Sequence, residues 1–490
     1  MTKRQIVIFA AVLAALLSRV AAQETSPTLT LDDAIRLALQ RNKDLKVASF
    51  SPKISRANLL VARGAFDPSL VFSRTYNSTD FNTSIGPIPV LDLTKVDYFS
   101  AGVQGLLPTG TQYSINGNTE EVRDVYNGIT KNYYTFGGFQ VTQPLLRGFG
   151  FAANLLQVRI QKANRGISDA NYRQSAINTV TNVINAYINL QLAHDQLDSA
   201  NRARSLADRL LNENEKKFKI GSTSQSDVIE ARASRAQFDE PILIAARAVR
   251  DAQNYLRELI GDDSFFEDEP LFVLAPIELP EVNVDRRADL QRALSMRPDY
   301  QIARLGIVQN RASESAAINN LLPEVDFVGG YGYNGSATNF SPSLQMVEDH
   351  MNPSLSAGIT VTIPLTFSVG RGTLRAARLT RMQAEENLRS LAAEIAFLVA
   401  QADGQVETTR KRVAADQAAY ELAKQALDAE EKKYKAGTSS TLSVVQEQQL
   451  EANYENSLAN AVAAERLAIV AYDQTLGTTL DRYHVDLGAK

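Results

Sequence analysis

The segment Glu215-Lys216-Lys217-Phe218-Lys219-Ile220-Gly221 returns 216 residues later as Glu431-Lys432-Lys433-Tyr434-Lys435-Ala436-Gly437. The same offset carries Phe238 onto Tyr454 and Gly261 onto Gly477. A constant offset over that distance marks a duplicated unit, and a duplicated unit should fold twice into one shape. Upstream the likeness continues at other offsets. Residues Ala38 to Leu45 resemble Ala293 to Tyr300 at a shift of 255, and Pro68 falls on Pro323 at the same shift. Val141 to Leu145 resemble Val361 to Leu365 at a shift of 220. The first copy therefore holds 35 extra residues between its two prolines, most of them placed within 77–135. Function is to be sought in how two copies pack rather than in one catalytic cleft.

At 490 residues the chain exceeds what one simple core usually serves. Its N-terminus reads as a secretory signal over 1–22. Lys3 and Arg4 make a basic start, Ile6 to Leu17 an apolar run, and Val20-Ala21-Ala22 a small-residue exit. A membrane anchor is the competing reading, but the run is short for a span. Cysteine is absent, which excludes disulfides, thiolate metal sites, thiol nucleophiles and a lipid-modified cysteine. The formal charge is −4 and no basic block stands out, so nucleic acid is not an expected partner. Nothing in the chain calls for a cofactor. His194, His350 and His484 are dispersed without metal-ligand spacing, and no Ser-His-Asp grouping or phosphate-binding glycine loop is argued.

Two kinds of segment alternate. No proline falls between Pro144 and Pro241, or after Pro364, and strong helix formers dominate both stretches. An apolar column recurs every seven residues at Val183, Leu190, Leu197, Leu211 and Phe218, interrupted by Arg204. The second copy gives Val399, Val406, Val413, Tyr420, Leu427 and Tyr434. Sevenfold spacing predicts helices packed side by side along their length. The other seam position is poorly kept, which argues for a broad layer of helices rather than a two-stranded zipper. Gly221 and Gly437 end these helices, and each copy becomes a helical hairpin.

The second kind is strand. Residues 98–119, 132–146 and 351–370 carry no charged side chain. Ile359, Val361 and Ile363 alternate with Thr360 and Thr362, and Val325, Phe327, Gly329, Tyr331 and Tyr333 share one face. Strands are expected at about 68–76, 98–107, 111–119, 135–145, 324–333 and 354–364. Aromatic residues crowd here, as at the interfacial girdles of outer-membrane barrels. A soluble β-sandwich would alternate in the same way. With no candidate transmembrane helix, a membrane role requires a closed barrel. Single-chain barrels start at about eight strands, so six or fewer per chain must be pooled between copies.

The layout resembles the TolC-like outer-membrane efflux protein family. The likeness is carried by Leu31 to Asn42, Phe66-Asp67-Pro68, Gln143-Pro144-Leu145-Leu146-Arg147-Gly148-Phe149-Gly150, Leu321-Leu322-Pro323, Pro364-Leu365 and the two Lys-aromatic-Lys-x-Gly turns. The resemblance implies an α+β membrane protein. Antiparallel helical hairpins would form a trimeric α-barrel, joined to a shared outer-membrane β-barrel, from two internal repeats. It implies a homotrimer in outer-membrane lipid, meeting a periplasmic adaptor protein and an inner-membrane pump. The activity implied is that of a passive exit duct for a tripartite efflux pump or a type I secretion system. The expected organisation is a first repeat at 23–261, with strands about 68–145 and a helical hairpin about 151–261. A linker follows at 262–285. The second repeat spans 286–477, with strands about 324–364 and a hairpin about 371–477, before a tail at 478–490. The uncharged hairpin 98–119 departs from the family pattern, and either adds two strands to the barrel or covers its base.

Candidate sites follow the same division. Gly221, Ser222 and Thr223 in one repeat, with Gly437, Thr438 and Ser439 in the other, would be adaptor-docking helix tips; plain turn chemistry is the other reading. Ser224 and Asp227 have capping-box spacing. The resemblance places Asp227 at a periplasmic entrance, where three copies would raise one another's pKa; a solvated helix-start carboxylate is the alternative. The second repeat has Ser443 and Gln446 there, so a double acidic ring is not supported. Pro144, Arg147, Gly148, Pro364, Gly370 and Gly372 are expected at strand-to-helix junctions. A periplasmic coiled-coil adaptor would also explain export and a helical hairpin, though it needs neither two hairpins nor uncharged strands. A secreted enzyme on a helical stalk lacks any chemistry in this chain.

Overall fold

The computed structural model describes residues 28–85, 88–124, 127–263, 272, 274–277, 279 and 282–488. The expected signal, 1–22, lies outside them, as does part of the expected linker. In chain order the elements are α1 (Leu31–Arg41), α2 (Lys43–Ala48), α3 (Phe50–Gly64), β1 (Ser69–Ile85), β2 (Ile88–Leu106), β3 (Gln112–Asp124) and β4 (Ile129–Pro144). They continue with α4 (Phe151–Asn154), α5 (Leu156–Lys219), α6 (Gln225–Gln237), α7 (Asp239–Ile260), α8 (Arg286–Met296) and α9 (Pro298–Asn319). The remainder are β5 (Glu324–Ala337), α10 (Phe340–Glu348), β6 (Pro353–Thr362), α11 (Ser368–Lys435), α12 (Thr441–Leu476) and α13 (Thr479–Arg482). None of these helices is long and apolar enough to cross a membrane.

The boundaries repeat as the sequence does. At the shift of 255, α1 falls on α8 from end to end, and Ser69 of β1 falls on Glu324 of β5. At 216, the last residues of α5 and α7 fall on those of α11 and α12. Gly261 and Gly477 cap the second arms in the left-handed region, at φ 71° and 74°. The copies differ where their sequences do. Pro241 removes a backbone donor near the start of α7, and the arm breaks at Phe238; the second copy lacks that proline and α12 runs unbroken.

The chain divides into two compact units. One holds the described residues up to Ser49, Asn171–Asp299 and those from Ala392 onward. Its main core gathers Ile177, Val180, Val183, Ile184, Tyr187 and Leu190 of α5 with Ala34 and Ile35 of α1, Val249 and Leu256 of α7, and Val470 of α12. Tyr187 is fully buried. Its hydroxyl lies 2.7 Å from the Leu29 carbonyl and 2.9 Å from that of Ala275, one proton serving two acceptors. Leu29 and Leu274 also form a parallel bridge.

The other unit, Phe50–Ala170 and Tyr300–Leu391, is organised on one six-stranded antiparallel sheet in the order β1-β2-β3-β4-β5-β6. β1 and β4 belong to the first repeat, β5 and β6 to the second. The extra length of the first copy goes with the inserted pair β2 and β3, so the hairpin 98–119 lies within the sheet and its strands among the described residues number six. β1 and β2 run past their expected ends, pairing Thr79 with Thr94 and Tyr76 with Asp97. α10 lies against β4 and β5 on a seat paved by glycine. A Cβ on Gly335 would stand 1.8 Å from the Ser343 carbonyl oxygen, and one on Gly137 2.9 Å from Val347.

Candidate functional site

The helix tips are two Schellman turns. In the first, Ser222 N donates to Lys217 O at 2.8 Å and Gly221 takes φ 72°; in the second, Thr438 N donates to Lys433 O at 3.0 Å and Gly437 takes φ 77°. Gly221, Ser222, Gly437 and Thr438 are exposed, and Thr223 and Ser439 half-buried. A Cβ on either glycine would meet open space, so positive φ alone explains the residue type.

Asp227 caps α6. Its Oδ2 accepts from Ser224 Oγ at 2.6 Å, Thr223 Oγ1 at 2.8 Å and Ser224 N at 3.0 Å, while Asp227 N donates back to Ser224 Oγ at 3.2 Å. These donors, those of Ser224 foremost, hold the carboxyl below the usual aspartate range. The second tip keeps half of this arrangement. Ser443 N donates to Ser440 Oγ at 3.1 Å, but the acid is gone and Gln446 points into the open. Glu430 serves instead from the preceding helix, accepting from Ser439 Oγ and pairing with Lys433 at 2.9 Å.

Just behind the tips, Asn214 ties the repeats together. It is fully buried. Its Oδ1 accepts from Tyr434 Oη at 2.9 Å and Thr441 Oγ1 at 3.1 Å, and its Nδ2 donates to Leu210 O at 3.0 Å. Lys217 covers the Tyr434 ring, its Nζ 3.6 Å from the centroid. Sequence reasoning missed this residue, although a signal exists. Seven-residue steps through the second seam read Ala186, Ala193, Ala200, Ala207 and then Asn214. A polar residue closing a run of alanines in a packed seam points to a register-setting contact.

In the sheet unit the geometry is one of faces. Register carries the row Leu70, Val103, Ile115, Phe139, Tyr331, Leu355 across all six strands. The next position along every strand belongs to the opposite face, where Ser69, Gln104, Ser114, Gln140, Gly330 and Ser356 form a row without one apolar side chain. The apolar face is open: Phe72 is 66% exposed and Leu355 79%. α10 covers this face only around Thr135, Gly137 and Gly335; a sheet polar on one side and otherwise open on its apolar side suits a wall between water and lipid.

The junction after β4 turns within a few residues. Pro144 ends the strand, Leu145 N donates to Val325 O at 2.7 Å, and Arg147 pairs with Glu324. Gly148 turns at φ 84°, its N–H donating to Asn319 Oδ1 at 2.7 Å. The second junction corrects the expectation. Pro364 follows β6, but Gly370 and Gly372 lie inside the first turns of α11, and the change of direction falls at Phe367, φ 50°. Gly370 answers to packing instead, since a Cβ there would come within 3.1 Å of Leu321.

The family profile described as outer membrane efflux protein matches residues 34–262 and 290–478, once in each repeat. The chain belongs to that family. As an outer membrane efflux protein it is similar to the outer membrane protein TolC of Vibrio cholerae, 22% identical over 334 residues, covering 66% of this chain and 73% of TolC. It is similar also to the alkaline protease secretion protein AprF of Pseudomonas aeruginosa, 24% identical over 375 residues, covering 74% of this chain and 66% of AprF. Among solved structures, the outer-membrane channel OprN superposes with a TM-score of 0.67 at 17% identity, covering 91% of this chain and 90% of OprN. That likeness speaks to fold. The efflux protein is thus an exit duct of the outer membrane, with its helical part in the periplasm.

Proposed function

We propose that this efflux protein works as a homotrimer, a passive conduit that receives its cargo from an inner-membrane pump through a periplasmic adaptor. The observation that carries the reading is the open sheet, polar on one face and apolar on the other, with six strands where about eight are the smallest number that close alone. A conduit needs no chemistry of its own, and transport is driven by the pump. The tips at Gly221, Ser222, Thr223, Gly437, Thr438 and Ser439 are the adaptor-docking positions. Asp227 lines the entrance from one repeat, Ser443 and Gln446 from the other.

In a single chain the donors around Asp227 keep its carboxyl ionised. Three copies near one axis would push in the opposite direction by mutual repulsion, so their balance sets how strongly the entrance favours cations. Purified protein in a planar bilayer is expected to conduct, with a native mass of three chains. Asp227→Asn is expected to lower cation selectivity or weaken block by divalent ions. A monomer that conducts nothing removes the whole reading; unchanged selectivity and block remove only the role of Asp227.

A further inference from the structure

The inserted strands β2 and β3 carry the same alternation as the other four. In the two adjacent rows that cross all six strands, Val103 and Ile115 stand with Leu70, Phe139 and Leu355, while Gln104 and Ser114 stand with Ser69, Gln140 and Ser356. A hairpin folded across the base of a barrel would have no reason to keep this register. β2 and β3 are wall.

The sheet ends in two free edges, β1 and β6. Unpaired backbone groups are costly in lipid, so a spanning sheet must meet a partner at each edge. The two edges suit each other. Strand order is sequential and antiparallel throughout, so β1 and β6 run in opposite directions, and β6 of one copy meets β1 of the next antiparallel. Both edges show exposed apolar side chains on the same face, Leu70 and Phe72 on β1, Leu355, Ile359 and Val361 on β6. The contact is head to tail, the kind that closes into a ring.

We propose that the outer-membrane wall is an eighteen-stranded barrel, three copies of six strands joined by β6-to-β1 pairing between neighbours. The inference rests on the homotrimer proposed above. Two strand pairs per chain would give only twelve. Because barrel diameter grows roughly in proportion to strand number, this wall is about half again as wide, in the range that leaves an aqueous channel.

The absence of cysteine makes the test direct. In the full-length protein in its membrane, cysteines are introduced in pairs on the polar face, Ser69→Cys or Ser73→Cys in β1 with Ser354→Cys or Ser356→Cys in β6. Ser73→Cys with Ser100→Cys, which face each other across β1 and β2, is the control within one chain. Oxidation is expected to shift at least one β1/β6 pair to covalent dimer and trimer bands, with no shift for single-cysteine variants. Native mass is read in parallel. A mass of three chains and a reactive control, with no β1/β6 pair linking, overturns the wall and leaves the trimer standing. A mass other than three overturns the trimer itself.

Discussion

Residue identity does its clearest work where backbone and side chain compete for one space. Gly335 is such a place, because any Cβ would overlap the carbonyl of Ser343. Gly335→Val is expected to lift α10 from the sheet, at a cost of about 2 kcal/mol, read as a lowered melting temperature and new protease cleavage within 338–352. Asp227 is a second. Its folded pKa lies below the unfolded value, so the cap is at full strength above about pH 4 and is lost as pH falls through the lowered pKa. Asp227→Ala is expected to cost about 1 kcal/mol at neutral pH, and to narrow its difference from the parent chain in acid, by denaturant titration at two pH values. The capping box was legible from Ser224 and Asp227 at their spacing, and the tip glycines from their place after Lys-aromatic-Lys. Asn214 was not read, because one amide in a long polar helix looks solvated until its partners Tyr434 and Thr441, more than two hundred residues away, are known.

At the scale of elements, ion-pair networks fix helices that the apolar seam leaves free to slide. In the sheet unit Arg381 of α11 holds Glu314 of α9 at 2.6 Å and Glu385 at 2.8 Å, and Arg378 and Arg311 add outer contacts at 3.4 Å. Arg381→Ala is expected to lower the melting temperature more than loss of an isolated surface pair would, because it removes the one cation that bridges both carboxylates and leaves them only the outer contacts of Arg378 and Arg311. Arg381→Lys should recover only part, since one ammonium cannot span both carboxylates. Thermal melts of the two variants decide. Helix ends were legible where glycine sets them, as at Gly221 and Gly437, whereas the break at Phe238 before Pro241 was not read. Strand ends were not. Alternation between an apolar and a polar face fades beyond the band that meets lipid, so β1 and β2 lost their signal at Asp80, Asp92, Lys95 and Asp97, although pairing continues to Ile85 and Ile88.

At the scale of the whole molecule, exposure marks what one chain leaves unfinished. Phe218 is 46% exposed, whereas Tyr434, its counterpart in the second repeat, is 6%. In the trimer proposed above, equivalent positions should be equally covered, so Phe218 is expected to be buried by a neighbour. Phe218→Ser should weaken the trimer by about 1–2 kcal/mol per subunit without loss of helix, measured as the temperature at which native mass falls to one chain. The duplication announced the two hairpins, and the uncharged stretches announced the sheet. Neither revealed that the molecule's beginning is fastened to its middle. Tyr187 holds the Leu29 and Ala275 carbonyls with a single phenol, and Leu29 lies beside Leu274. A ribosome makes Leu29 early and Ala275 only after the whole first repeat, so the earliest part of the chain waits, unsettled, for a stretch not yet synthesised. The first copy is not finished as a structure until translation has passed beyond it to Ala275.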